Sequence, residues 1–173
     1  MSMPIEVRTA RPSDGPTLVE IETAADALLV DRFAATHWPP PASAAELAAL
    51  PGFVLVAEQP GDASGTRTLV GFVHVLELDG HAHLEQLSVL PQFGRRGIGR
   101  RLVAEALSEA RTHGHGEITL RTYRDVPWNA PFYASCGFVE TSPDSPFLNE
   151  LVRVETDLGL FRYGPRMQMT AQL

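Results

Sequence analysis

The chain has 173 residues, of which 44% are hydrophobic and 20% charged, and a formal net charge of -7 at pH 7. That is the composition of an ordinary globular domain with material for a sizeable core; the negative balance argues against a general nucleic-acid binder and slightly favours cationic partners through long-range attraction. One cysteine, Cys136, leaves no internal disulfide, and the sequence shows neither an apolar leader nor a bilayer-length apolar run, so the expectation is a cytoplasmic protein without a membrane partner.

In chain order, Ile5 to Ala10 alternates and predicts a first strand. "RPSDGP" carries helix-start chemistry, with Ser13 or Asp14 as candidate N-cap, and Leu18, Ile21, Ala24, Ala25 and Leu28 follow at helical spacing. "HWPPP" from His37 to Pro41 must be extended or loop, because proline fixes φ and restricts its predecessor. Ser43 with Glu46 three residues on is a capping-box pattern, and Pro51-Gly52 stops that short helix. Phe53 to Gln59 and Thr68 to Leu78 predict strands around the turn-rich "PGDASGT", and a turn at Asp79-Gly80 leads into a third antiparallel strand through His81 to Leu90. A long helix follows, with Ile98, Leu102, Val103, Ala106, Leu107 and Ala110 in one stripe and Gly114 as its stop. Glu117 to Tyr123 predicts a strand parallel to the one before that helix. A short helix over Asn129 to Ser135 ends at Gly137. A further helix over 145–159 has Ser145 as N-cap, Pro146 in its first turn and Gly159 past its end, and "RMQMTAQL" closes as a strand. The fold class is α/β: one domain over 1–173, a mostly antiparallel mixed sheet with one parallel pair, helices on both faces and a helical insertion at 145–159.

The stretch "FGRRGIGRR" enters the long helix, where unsatisfied N–H groups and the helix dipole favour an anion. Three anion loops compete. The dinucleotide fingerprint fails for want of a third glycine and for its position in the fold. The phosphate loop of nucleotide hydrolases fails for want of Gly-Lys followed by Ser or Thr. The third is the acyl-CoA pyrophosphate loop, Q/R-x-x-G-x-G/A.

With that loop, the strand "LSV", the proline of "VLP" and the later "WNAPFYASCGF", the chain resembles the GNAT superfamily of N-acetyltransferases over nearly its whole length. The resemblance implies acetyl-CoA as co-substrate and no metal. It implies that Leu87, Ser88 and Val89 lie along the pantetheine arm, which adds like a pseudo-strand. It also implies that Arg95, Arg96, Gly97, Ile98, Gly99 and Arg100 hold the pyrophosphate, and that Asn129 touches the cofactor. Gly94 departs from the family pattern, which has Gln or Arg there.

Acetyl transfer needs an amine stripped of its proton, since an alkylammonium has a pKa of about 10. It needs a donor for the developing oxyanion, for which a free backbone N–H near Val89 serves. It also needs an acid for the leaving thiolate. Tyr133, four residues after Asn129 and so on the same helix face, matches the family's usual acid. Period-2 alternation puts His83, Glu85, Leu87 and Val89 on one face, which makes Glu85 the first candidate base and His83 the second. Glu22 is a candidate to bind the amine cation or act in their place. Trp38, Trp128 and Phe132 either line an acceptor pocket or belong to the core. His81-x-His83 and His113-x-His115 have no companion ligands at metal spacing, and Cys136 reads as packing, not as a nucleophile.

These readings amount to an N-acetyltransferase using direct attack in a ternary complex on a small-molecule or peptide amine. Partners other than that acceptor are limited to a homodimer by family analogy. The alternatives are a protein N-terminal acetyltransferase, a non-catalytic acyl-CoA-binding or regulatory module, and a nucleotide-binding domain.

Overall fold

The computed structural model describes residues 4–61 and 63–173. Met1, Ser2, Met3 and Asp62, the last within the predicted turn after Gln59, lie outside the described residues.

The elements follow in the expected order. Strand β1 (Glu6–Thr9) leads through a 3-10 turn into helices α1 (Gly15–Phe33) and α2 (Ala44–Ala49). Strands β2 (Phe53–Gln59), β3 (Thr68–Leu78) and β4 (His81–Val89) form an antiparallel meander. Helix α3 (Ile98–Thr112) and strand β5 (Glu117–Tyr123) come next. Helix α4 (Ala130–Ser135), the short strand β6 (Val139–Thr141), helix α5 (Pro146–Asp157) and strand β7 (Arg166–Gln172) complete the chain. Among the described residues, seven strands join one sheet, ordered β1-β2-β3-β4-β5-β7-β6, and of their pairings only β4 with β5 is parallel.

Local chemistry accounts for the helix ends. Ser43 Oγ accepts the Glu46 N–H at 3.2 Å, and the Glu46 carboxylate accepts the Ser43 N–H at 2.7 Å, completing the capping box of α2. Ser145 Oγ accepts the Leu148 N–H at the start of α5. Asp14 flanks α1 without capping it, because its carboxylate is drawn to Arg8 at 2.8 Å and to the Arg11 N–H at 2.7 Å.

The sheet is covered on both faces. Leu102, Val103, Ala106 and Ala110 of α3 are buried against Val73, Val75, Leu84 and Leu120. On the other face, Leu18 and Ile21 of α1 and Leu47 of α2 pack on Val56 and Phe72.

The main departure from sequence expectation lies in β4. His74 of β3 faces Gln86, but Val75 faces Leu84. Glu85 is therefore one residue in excess of the ladder, a β-bulge. One inserted residue shifts the side-chain alternation beyond it. Ala82 and Leu84 before the bulge, and Leu87 and Val89 after it, all face α3. His83 and Glu85 face the α1 side, where the His83 imidazole lies 3.8 Å from the Glu85 carboxylate. The expected single face for His83, Glu85, Leu87 and Val89 is thus corrected: the four divide between opposite faces.

Leu102 is fully buried beneath the meander, so Leu102→Ala should cost about 2–5 kcal/mol. In urea denaturation the midpoint should fall by that loss divided by the m-value, with the m-value itself unchanged.

Candidate active site

Beyond the bulge the sheet opens. β4 pairs with β5 only at His83–Thr119 and Leu84–Leu120, while its other edge stays laddered to β3 as far as Val89. From Glu85 to Val89 the β4 edge facing β5 therefore carries no ladder bonds. A cavity of about 1160 Å³ occupies the opening and runs from the Gly94–Arg100 loop to α1 and α5.

At one end lies the glycine-arginine loop. Arg95 has φ 61 and Gly97 φ 77, with Arg96 between them outside the positive region. Backbone of alternating hand gathers successive N–H groups into an anion-binding concavity. The first N–H groups of α3 add the positive end of its dipole. Gly97 supplies a left-handed conformation as N-cap of α3. A Cβ on Gly99 would come to 3.4 Å from the Phe132 ring, so the small residue lets α3 and α4 meet closely. Arg100 donates to the Ser135 carbonyl at 2.9 Å and to its hydroxyl at 2.8 Å, which ties the start of α3 to the end of α4. Arg96 lies over the Phe93 ring, and Arg95 and Arg96 are exposed. At Gly94 the backbone is ordinary (φ -59), and a Cβ would stand 3.1 Å from the Pro91 carbonyl. A side chain there would need the Pro91 turn to shift by a few tenths of an ångström.

The middle of the cavity is formed by α4 and the β4 edge. Asn129 precedes α4, and its side-chain oxygen accepts the Thr122 hydroxyl at 2.7 Å. One turn on, Tyr133 is 9% exposed, lines the cavity and makes no hydrogen bond through its hydroxyl among the described residues. Burial pushes this phenol above its usual range, so at neutral pH it is a protonated donor without an acceptor. Leu87 and Val89 line the same stretch, whereas Ser88 is buried on the opposite side, its hydroxyl accepting from Gln86 at 2.9 Å. The Cys136 thiol is also pushed up by burial, which leaves it protonated and unactivated.

The far end is acidic. Glu22 and Asp26 stand one turn apart on α1, and Glu85 faces them from the bulge. Burial, then Asp26 and Glu85, push Glu22 up to about 7. Burial also raises Asp26, against the opposing pull of the Trp38 indole N–H, which donates to its carboxylate at 3.1 Å. Glu85 is raised by burial and then by Glu155; its side chain is surrounded by the cleft walls yet 43% accessible, since the cavity itself admits water. His83 is different: burial, then Arg121, push it down to about 3, and its Nδ1 lies 2.8 Å from the Thr119 hydroxyl. An imidazole this weakly basic is a poor proton acceptor at neutral pH.

Sequence reasoning missed several residues of this end. Asp26 had a signal, standing four residues after Glu22 and hence on the same face. His74 on β3 and the ion group of Glu155 with Arg121 (2.8 Å) and Arg166 (2.7 Å) had none, because they meet only in the folded chain. Trp38, Trp128 and Phe132 all line the cavity. The other histidines are engaged elsewhere: His81 stacks on Phe147, and His113 and His115 both meet Glu77.

The Acetyltransferase (GNAT) family model matches residues 22–138. Among solved structures, the PaiA N-acetyltransferase from Thermoplasma acidophilum in complex with coenzyme A superposes with a TM-score of 0.72 at 21% identity, covering 99% of this chain and 100% of that one. Rv2747 from Mycobacterium tuberculosis, in complex with CoA and NLQ, gives 0.66 at 22% identity, covering 97% and 99%. The ribosomal-protein-S18-alanine N-acetyltransferase from Escherichia coli gives 0.67 at 19%, covering 98% and 94%. At these identities the likenesses show the fold. No helix among the described residues is long and apolar enough to cross a membrane.

Glu22 supplies a stability test. Its carboxyl is raised from 4.5 to about 7 in the fold. Between those values the folded chain holds a proton that the unfolded chain has released, so stability falls as pH rises through the window. Glu22→Gln removes this dependence. The gain in melting temperature over wild type should be larger at pH 8 than at pH 5; an equal gain at both would show that Glu22 is not raised.

Proposed function

We propose that this chain, which belongs to the acetyltransferase (GNAT) family, transfers an acetyl group from acetyl-CoA to a primary amine by direct attack in a ternary complex. The observation that carries the reading is the junction of three features in one cavity: the alternating loop at Arg95–Gly97, the unladdered β4 edge after Glu85, and the unpartnered hydroxyl of Tyr133. The residues fit the co-substrate. The loop amides from Arg95 to Arg100 suit a pyrophosphate, the β4 edge at Leu87 to Val89 suits the amides of the pantetheine arm, and Asn129 stands beside that edge.

Acetyl-CoA supplies an electrophilic acyl carbon with a thiolate as leaving group. The chain's own residues do the rest. Glu85, raised by burial and lining the cleft, takes the proton of the amine directly or through water. A β4 backbone N–H near Val89 donates to the oxygen on which charge develops. Tyr133 gives its proton to the departing sulfur. Glu22 and Asp26 draw the ammonium form of the acceptor into the cleft. The protonated Cys136 thiol fits direct attack better than an acyl-enzyme route. Acceptor choice is read in α1, α2, the His37–Pro41 loop and α5, the irregular parts around the scaffold where specificity resides. A single domain, a cytoplasmic location and, by analogy alone, a homodimer belong to the same reading.

The test is titration calorimetry with acetyl-CoA, CoA and ATP, followed by thiol release over an amine panel. All 14 residues counted as Lys plus Arg are arginine, so the side chains offer no amine and thiol release without added acceptor reports hydrolysis. CoA and acetyl-CoA should bind, ATP should not, and at least one amine should release thiol. Binding without turnover on any amine favours a non-catalytic CoA-binding module. Tyr133→Phe should lower kcat by about 100-fold or more with CoA affinity little changed; an unchanged rate removes Tyr133 from the acid role.

A further inference from the structure

Most of the large apolar side chains left exposed by this fold gather at one place. Leu28, Leu50, Trp128, Val154 and Leu158 all line the cleft, while Leu78, Val139 and Phe161 lie elsewhere. Apolar surface that remains exposed around a cavity marks a binding surface. Beneath it lie three carboxylates that form no salt bridge with an arginine among the described residues. Glu22 has no ion pair, Asp26 has the neutral indole of Trp38, and Glu85 has the neutral His83 at 3.8 Å and a longer-range attraction to Arg166. Arg121 and Arg166, the nearby cations, are engaged by Glu155. The hydroxyl of the largely buried Tyr133, without a protein partner among the described residues, lies on the same cavity.

We propose that the acceptor is a small primary amine on an apolar body, an alkyl- or arylalkylamine, bound with its ammonium among Glu22, Asp26 and Glu85 and its body along Leu28, Val154 and Leu158; this rests on the acetyl-transfer reading above. One ammonium is enough for the acidic floor. Burial raises all three carboxyls, and Asp26 and Glu85 add to the rise of Glu22 to about 7, so one ammonium set among them answers their crowding. A second ammonium at the far end of the acceptor would lie against Leu28, Val154 and Leu158, where it loses water and gains no partner. A peptide fits poorly for the same reason: its backbone N–H and C=O groups would face apolar side chains.

The test uses primary n-alkylamines from ethyl to octyl, the terminal diamine of octyl length and a leucyl tripeptide amide. Each is titrated into CoA-saturated protein and assayed for thiol release with acetyl-CoA. Affinity and kcat/KM should rise about fourfold for each methylene that reaches the rim. The diamine and the tripeptide should bind about tenfold or more weakly than octylamine. Val154→Asp, on the exposed side of α5 and checked for folding by circular dichroism, should flatten the chain-length slope. A flat or falling series, or a diamine or tripeptide that matches octylamine, overturns the inference whether or not thiol is released. Length-dependent binding with no thiol release from any amine upholds this amine site and overturns the acetyl-transfer reading instead.

Discussion

Glu85 is one residue more than the β3–β4 ladder can accommodate, and the cleft depends on how the sheet absorbs it. A bulge bends its strand and increases the local twist. Here β4 keeps its bonds to β3 and loses those to β5 directly after Leu84. Two consequences follow from one residue. The β4 backbone edge is left without ladder partners where an extended ligand can take them up. The bulged side chain itself is turned toward α1, opposite Glu22, while Leu87 and Val89 are turned toward α3. The strand thus carries the candidate base on one face and core anchors on the other.

The two ends of the cavity are electrically opposed. Amides of alternating hand, the helix dipole and exposed arginines make the loop end positive in character. The far end is held by Glu22, Asp26 and Glu85, each raised by burial, with Asp26 and Glu85 adding to the rise of Glu22 and Glu155 to that of Glu85. An anionic co-substrate and a cationic acceptor therefore have separate doors to the same gap. Burial acts in opposite senses on the two candidate proton carriers: it raises the Glu85 carboxyl and lowers the His83 imidazole.

Much of the fold was legible because its signals are local. The capping box at Ser43 and Glu46, the cap at Ser145, the stripe of α3 and the glycine turn at Gly97 need only near neighbours in sequence. The loop and the Asn129–Tyr133 spacing are local signals of the same kind, and the structure brings both to one cavity. The bulge was missed by applying strict alternation across β4, although the apolar positions Ala82, Leu84, Leu87 and Val89 already skip a beat between 84 and 87. That break in period is the sequence mark of an inserted residue. The acidic end was only partly legible. Asp26 stood at helical spacing from Glu22, but Glu155 meets Arg121 and Arg166 across 34 and 11 residues, and only the folded sheet brings them together.

The central claim is that the β4 edge freed by the bulge takes up a CoA thioester as an added strand. Amide hydrogen exchange, with and without saturating CoA, reports on that edge directly. Protection should appear at Leu87 to Val89 and at Arg95 to Arg100, while the amides of β3 stay unchanged. CoA binding that leaves Leu87 to Val89 exchanging as fast as before would contradict the account.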